Sequence, residues 1–153
     1  MVMQSTPASS GALAGSFGQG DLGGEAVADA LVVGLRERLP DARLRLVAGD
    51  EEAIRSRLQA ETVPASDWAQ IAEAMRAADL VVLADGTLTC GSSEGDAESV
   101  LGPEASGTDR LLGASLLAAL LRRPFAMAGI GVGPGAGPGA RSAMKDAHRG
   151  TST

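Results

Sequence analysis

The residues at positions 15–25, Gly15-Ser16-Phe17-Gly18-Gln19-Gly20-Asp21-Leu22-Gly23-Gly24-Glu25, are the stretch best suited to hold a ligand. In such a turn, backbone N–H groups at the start of a helix can approach a bound group closely, and the helix dipole favours negative charge there. Gly18, Gly20 and Gly23 spell G-x-G-x-x-G, the fingerprint of a dinucleotide-binding turn. That chemistry also needs an acid for a ribose hydroxyl about 20 residues further on. Asp50 stands near the end of the second strand but lies further from Gly23 than this spacing. The strand before the turn is weak, and the first fingerprint glycine stands several residues past it. The turn is thus open to three readings: a nucleotide site, a site for another ligand, or a strand-to-helix connection that binds nothing.

Other reactive side chains are few. Cys90 and His148 are each the only residue of their type, which excludes an intrachain disulfide and a multi-histidine or Cys-rich metal site within the chain. Cys90 has no base to activate it at any recognisable spacing, and His148 lies in a polar tail. The acidic run Glu94, Asp96, Glu98, Glu104 and Asp109 fits no calcium-loop spacing and reads as solvated. Glu25 is either a favourable dipole partner or a contact for a ligand hydroxyl. Thr87 is either a contact for a hydroxyl or phosphate oxygen or a turn-stabilising group.

These groups must be positioned by a fold that the periodicities outline. Ala12, Leu13 and Ala14 read as a short first strand, and 25–39 as a helix with Ala28, Leu31, Val32, Leu35 and Leu39 on one face. A strand is expected at 43–48 and a helix at 51–59 that ends before Val63 and Pro64. Ser66 is positioned to cap a helix bearing Trp68, Ile71, Ala72 and Met75 on its apolar face. Positions 79–84 form the clearest strand, a continuous apolar run suited to a sheet buried on both faces. A long irregular segment at 85–107, a helix at 109–122 and a strand at 124–128 follow. In that last helix Leu111, Leu112, Leu116 and Leu120 form an apolar stripe. Alternating strands and helices predict an α/β, Rossmann-like fold with a mostly parallel sheet flanked by helices. Ligands in such sheets bind outside the carboxyl ends of the strands. Three glycine-rich loops fall there: 15–24, 85–93 and 129–133.

Composition narrows the classes. A chain of 153 residues suits one domain, expected over 11–134, with a disordered tail at 1–10 and a flexible or truncated one at 135–153. Aromatics are only 2%, so Leu, Val, Ala and Ile must fill the core, and platforms for stacking bases or sugars are scarce. A net charge of −6 without a basic cluster argues against nucleic acid as a partner. No basic n-region or apolar h-region opens the chain, and the longest apolar segment, 111–121, is too short to span a bilayer. A cytoplasmic location is expected.

Taken together, the loops carry a second pattern. Gly-Ser-Phe-Gly-x-Gly-Asp-Leu-Gly-x-Glu-Ala opens a helix that ends Gly-Leu-Arg-Glu-Arg-Leu-Pro-Asp-Ala; a strand then ends Ala48-Gly49-Asp50. Ala77-Ala78-Asp79-Leu80-Val81-Val82 leads to Asp85-Gly86-Thr87-Leu88, and a Leu-rich helix leads through Arg123-Pro124 to Gly129-Ile130-Gly131-Val132-Gly133-Pro134. This order resembles the N-terminal half of the polysaccharide pyruvyl transferase family over about residues 12–140.

The resemblance implies one half of a two-domain GT-B-type transferase. Such an enzyme moves a pyruvyl group from phosphoenolpyruvate to a sugar of a cell-surface polysaccharide. It implies a glycan or glycolipid acceptor and phosphoenolpyruvate as donor, without a further cofactor or a metal. It also implies a C-terminal half, or a second copy of the chain, to complete the cleft. The residues it places along that cleft are Gly18, Gly20, Asp21, Glu25, Gly86, Thr87, Gly131 and Gly133, with the general acid unassigned. Three positions depart from the family pattern: Gly24 stands where an acid is usual, Asp21 replaces an amide, and Asp85 introduces a carboxylate where glycine is common. A catalytically inactive interaction domain and a nucleotide-cofactor domain are the competing readings.

Overall fold

A computed structural model describes residues 9–84, 87–88, 100 and 107–132. Its elements are β1 (Ser10–Phe17), α1 (Leu22–Arg38), β2 (Arg43–Ala48), α2 (Glu51–Leu58), β3 (Glu61–Pro64), α3 (Trp68–Ala77), β4 (Leu80–Ala84), β5 (Thr87–Leu88), α4 (Gly107–Leu120), β6 (Phe125–Ala128) and β7 (Gly131–Val132). Five strands form one sheet in the order β3-β2-β1-β4-β6, and every pairing in it is parallel. A parallel sheet with a helix after each inner strand is the Rossmann-like α/β arrangement the alternation predicts. The chain order reverses between β1 and β4, so the topological switch point lies at the carboxyl ends of those two strands.

The period-two alternation of the strands divides the core into two layers. Ala12, Ala14, Val47, Val81 and Leu83 point to one side, where Ile71, Ala74 and Met75 of α3 and Leu111, Ala114 and Ala118 of α4 cover them. Leu13, Leu44, Leu46 and Val82 point to the other, against Ala28 and Val32 of α1 and Ile54 and Leu58 of α2. Leu13, Leu46, Ile54 and Leu83 are fully buried. Each stabilises the fold by about 1.5–3 kcal/mol. With almost no aromatics, small side chains set the spacing of helices and sheet.

Several elements differ from the sequence expectation: α1 starts at Leu22 rather than at 25, and the two-residue strands β5 and β7 fall in segments that read as loops. The first strand is longer than Ala12–Ala14: pairing on both sides, with β2 and β4, holds residues of weak β-propensity in the sheet. Glu61–Pro64 is a strand, β3, in the stretch after the 51–59 helix to which the sequence reading assigns no element. It is an edge strand, the position in which a terminal proline costs no ladder bond. The cap of α3 is Asp67, whose carboxylate accepts from the Gln70 backbone N at 3.0 Å, while Ser66 is exposed. Two bonds from Gln70, the backbone one first, hold the Asp67 carboxyl below the usual range.

At the opposite, amino edge of the sheet, Asp79 ties the start of β1 to the junction of α3 and β4. Its Oδ2 accepts from the Ser10 backbone N at 2.8 Å and from Ser10 Oγ at 2.9 Å. These bonds, the backbone one first, lower the Asp79 pKa. A carboxylate depressed in the folded state contributes stability above its unfolded pKa, near 4, and loses it as pH falls through the lower folded value. Asp79→Asn is therefore expected to lower the urea midpoint at pH 7, and the difference from the parent should shrink as pH is taken below about 4. Urea melts of the two proteins at several pH values check this; a difference that is flat with pH contradicts it.

Candidate functional site

The carboxyl edge of the sheet is built around a crowded strand end. Between Ala14 and Phe17 β1 bulges: Ala14 pairs with Val47 while Phe17 pairs with Ala48. At the bulge a Cβ on Gly15 would lie 1.7 Å from the Ala84 carbonyl oxygen, so only glycine lets β1 and β4 approach this closely. The first turn of α1 rests on the same bulge, with a Cβ on Gly24 placed 3.0 Å from the Ser16 carbonyl oxygen. The glycine at position 24, where the family pattern has an acid, therefore has a packing reason in this chain.

Past Phe17 the turn docks onto the end of β2. Gly49 N donates to Phe17 O at 2.8 Å and Asp50 N donates to Gly18 O at 2.9 Å. Gly18 has φ +67°, and a Cβ there would meet Asp50 N at 2.7 Å, so both its conformation and its surroundings require glycine. Gly20, at φ +79°, faces open space.

The two acids of the turn are engaged inside the chain. Asp21 is the N-cap of α1: its Oδ2 accepts from Gly24 N at 2.9 Å and its Oδ1 from Gly23 N at 3.3 Å. Glu25 reaches back, with Oε1 accepting from Gly18 N at 2.6 Å. Its Oε2 takes the Arg57 guanidinium from α2, and Arg57 Nε also lies 3.0 Å from Asp29 Oδ1. The hydrogen bond to Glu25 raises the Arg57 pKa most; desolvation opposes it, and the charges of Glu25 and Asp29 add to the rise. Glu25, Arg57 and Asp29 thus form a latch that fixes the glycine turn to α1 and α2.

Asp21 also bears on the dinucleotide reading. A pyrophosphate would use the open N–H groups at the start of α1. A carboxylate already accepts from two of them, and a second anion would be repelled. Asp50 caps α2 through Ala53 N at 3.0 Å in the same manner, and Asp67 caps α3. Every helix that follows β1, β2 or β3 therefore presents a carboxylate at its amino end on this edge.

The second and third loops are brought together by backbone pairing. Thr87 pairs with Gly131 and Leu88 with Val132 in a small parallel sheet of β5 and β7. The connections leaving β1, β4 and β6, neighbours in the main sheet, thus rise from one edge. Gly86 and Gly133 lie outside the described residues, as do Asp85, Cys90 and His148.

Two arginines make long-range contacts that hold this edge together. Arg57 meets Glu25 across 32 positions, and nothing local in the sequence signals the pairing. Arg110, near the start of α4, is 7% exposed and donates through Nη1 to the Ala65 carbonyl just past β3. Burial lowers its pKa, but a guanidinium remains charged. Its place was legible: Arg110 stands four and eight residues before Ala114 and Ala118, on the buried stripe of the helix. The leucine stripe of the same helix is only partly covered: Leu111 is buried, Leu112 half-buried, and Leu116 and Leu120 exposed.

Among the described residues no group of His, Cys, Asp and Glu could hold a metal ion, and no helix is long and apolar enough to cross a membrane. Comparison with family models, curated proteins and solved structures finds no match to this chain.

Proposed function

We propose that this domain is the acceptor-side half of a polysaccharide pyruvyl transferase-like enzyme of GT-B type. The observation that carries the reading is the joint placement of the three glycine-rich loops. The sequence order that resembles the family puts them after the first, fourth and sixth strands, and those strands are neighbours at the switch point of one parallel sheet. On this reading a sugar of a cell-surface glycan or glycolipid lies along the carboxyl edge. Gly18, Gly20 and Gly131 offer backbone contacts, and Thr87 offers a hydroxyl. Gly86 and Gly133 belong to the same two loops.

The charge pattern supports assigning the acceptor to this half. Asp21, Asp50 and Asp67 line the edge with carboxylates, which suit hydroxyl groups and repel the anionic donor. Phosphoenolpyruvate would then be held by cationic groups of a second Rossmann-like half, from another polypeptide or from chain beyond these residues. The reaction protonates the methylene carbon of phosphoenolpyruvate, and one sugar hydroxyl attacks the resulting cationic carbon. Phosphate leaves, and a second hydroxyl closes the ketal. A further reading, a catalytically inactive interaction domain, draws on the internal engagement of Asp21 and Glu25.

Phosphate release from phosphoenolpyruvate separates these readings. With a glycan acceptor present, the chain alone is expected to release none above background, and the chain combined with a complementary C-terminal half is expected to turn over. Failure of the combination with every acceptor favours the inactive domain. Saturable binding of NAD by this chain would overturn the transferase reading.

A further inference from the structure

Opposite the candidate site, at the amino edge of the sheet, lies a cavity of about 350 Å³ lined by Ser10, Gly11, Arg43, Arg45 and three alanines of the α3 terminus, Ala74, Ala77 and Ala78. Its volume is at the small end of the roughly 300–1,000 Å³ typical of ligand pockets. The residues facing it break the rule of their own strand. Positions of β2 that face a covering helix in a parallel sheet are ordinarily apolar, as Val47 is. Two and four residues earlier on the same face stand Arg45 and Arg43. The alanines opposite leave the room that Leu or Ile would fill.

The acids nearby are engaged. Glu61, beside Arg45 in register on β3, pairs with Arg45 Nε at 2.9 Å, and Asp79 accepts from Ser10. Among the described residues the Arg43 side chain makes no ion pair or hydrogen bond, and it stands beside Ser10 in register. A guanidinium presents a planar fork matched to a carboxylate or phosphate.

We propose that this cavity is a second binding site, for a small organic oxyanion. Arg43 holds the charged group, Arg45 assists, and a short apolar body rests on Ala74, Ala77 and Ala78. The site is independent of the carboxyl edge and of any transferase activity.

The test uses the full chain, followed by amide correlation spectra during millimolar titrations of phenyl phosphate and of benzoate. Saturable shifts centred on Ser10, Gly11 and Ala78 are expected with at least one probe, and the probe that binds tells phosphate from carboxylate. Arg43→Gln should weaken that binding about fivefold, the loss of one charge-assisted contact. Glu61→Gln should tighten it by releasing Arg45. Arg38→Gln, an exposed arginine on α1, should leave it unchanged. Arg43 is exposed, so its variant keeps the parent melting temperature as a check on folding. The proposal fails if neither probe gives saturable shifts, or if Arg43→Gln binds as the parent does.

Discussion

Gly15→Ala is expected to be the most damaging single-methyl change in the domain. The added carbon would sit 1.7 Å from the Ala84 carbonyl oxygen and 2.9 Å from a ring carbon of Phe17. Neither neighbour can yield cheaply: the first is backbone of the central strand β4, and Phe17 is fully buried. Overpacking of a core ordinarily costs about 1–3 kcal/mol. Prying apart two central strands should exceed that range, and at roughly 2–4 °C per kcal/mol for a chain of this size the melting temperature should fall by about 10 °C or more. Gly20→Ala is the control. Gly20 also has positive φ but faces open space, so it bears only the left-handed penalty of about 1–2 kcal/mol. Thermal melts of both variants decide the matter; a Gly15→Ala protein no less stable than Gly20→Ala would show that the strand approach is not tight.

The second large effect is expected from the latch. Glu25→Ala removes the acceptor of the Gly18 N–H and leaves Arg57 with Asp29 as its remaining carboxylate. The Glu25 side chain is only 16% exposed, which argues for a substantial loss, whereas Arg57 is 39% exposed and water softens its part. A cost of about 1–2 kcal/mol is expected. Glu25→Gln should recover part of it, because its amide oxygen can still accept from Gly18 N. The effect should be local as well as global. Exchange of the Gly18 amide should quicken about tenfold, and the double variant with Arg57→Ala should be less destabilised than the sum of the singles. Hydrogen exchange and urea melts of the cycle test this, and strict additivity would dissolve the latch as a unit.

The latch also marks where the sequence stops being readable. The alternation of strands and helices, the double-sided core and the placement of glycine loops beyond the strand ends follow from periodicity and turn chemistry, and the fold carries them. β3 escaped because its four residues offer only Thr62 and Val63 as β formers before Pro64. Tertiary pairing with β2 supplies what propensity does not. Asp21 illustrates the opposite case. An aspartate immediately before a helix start is the ordinary N-cap signature, so its bonds to Gly23 and Gly24 are legible, yet the family resemblance counts the same residue among those lining a cleft. The Glu25–Arg57 pair was out of reach: it depends on α1 and α2 lying side by side on one face of the sheet, which no local window reports.

Trp68 gives the scarcity of aromatic residues a practical side. It is the only tryptophan, and the chain has no tyrosine. Half-buried at the first position of α3, it packs against the α3–α4 layer directly after the Asp67 cap on the carboxyl edge. Ultraviolet-excited emission from this domain therefore comes from one corner of one edge. It is an optical gauge for events at the β3–α3 junction, and it is blind to the amino-edge cavity, so a change in that emission reports on the carboxyl edge alone.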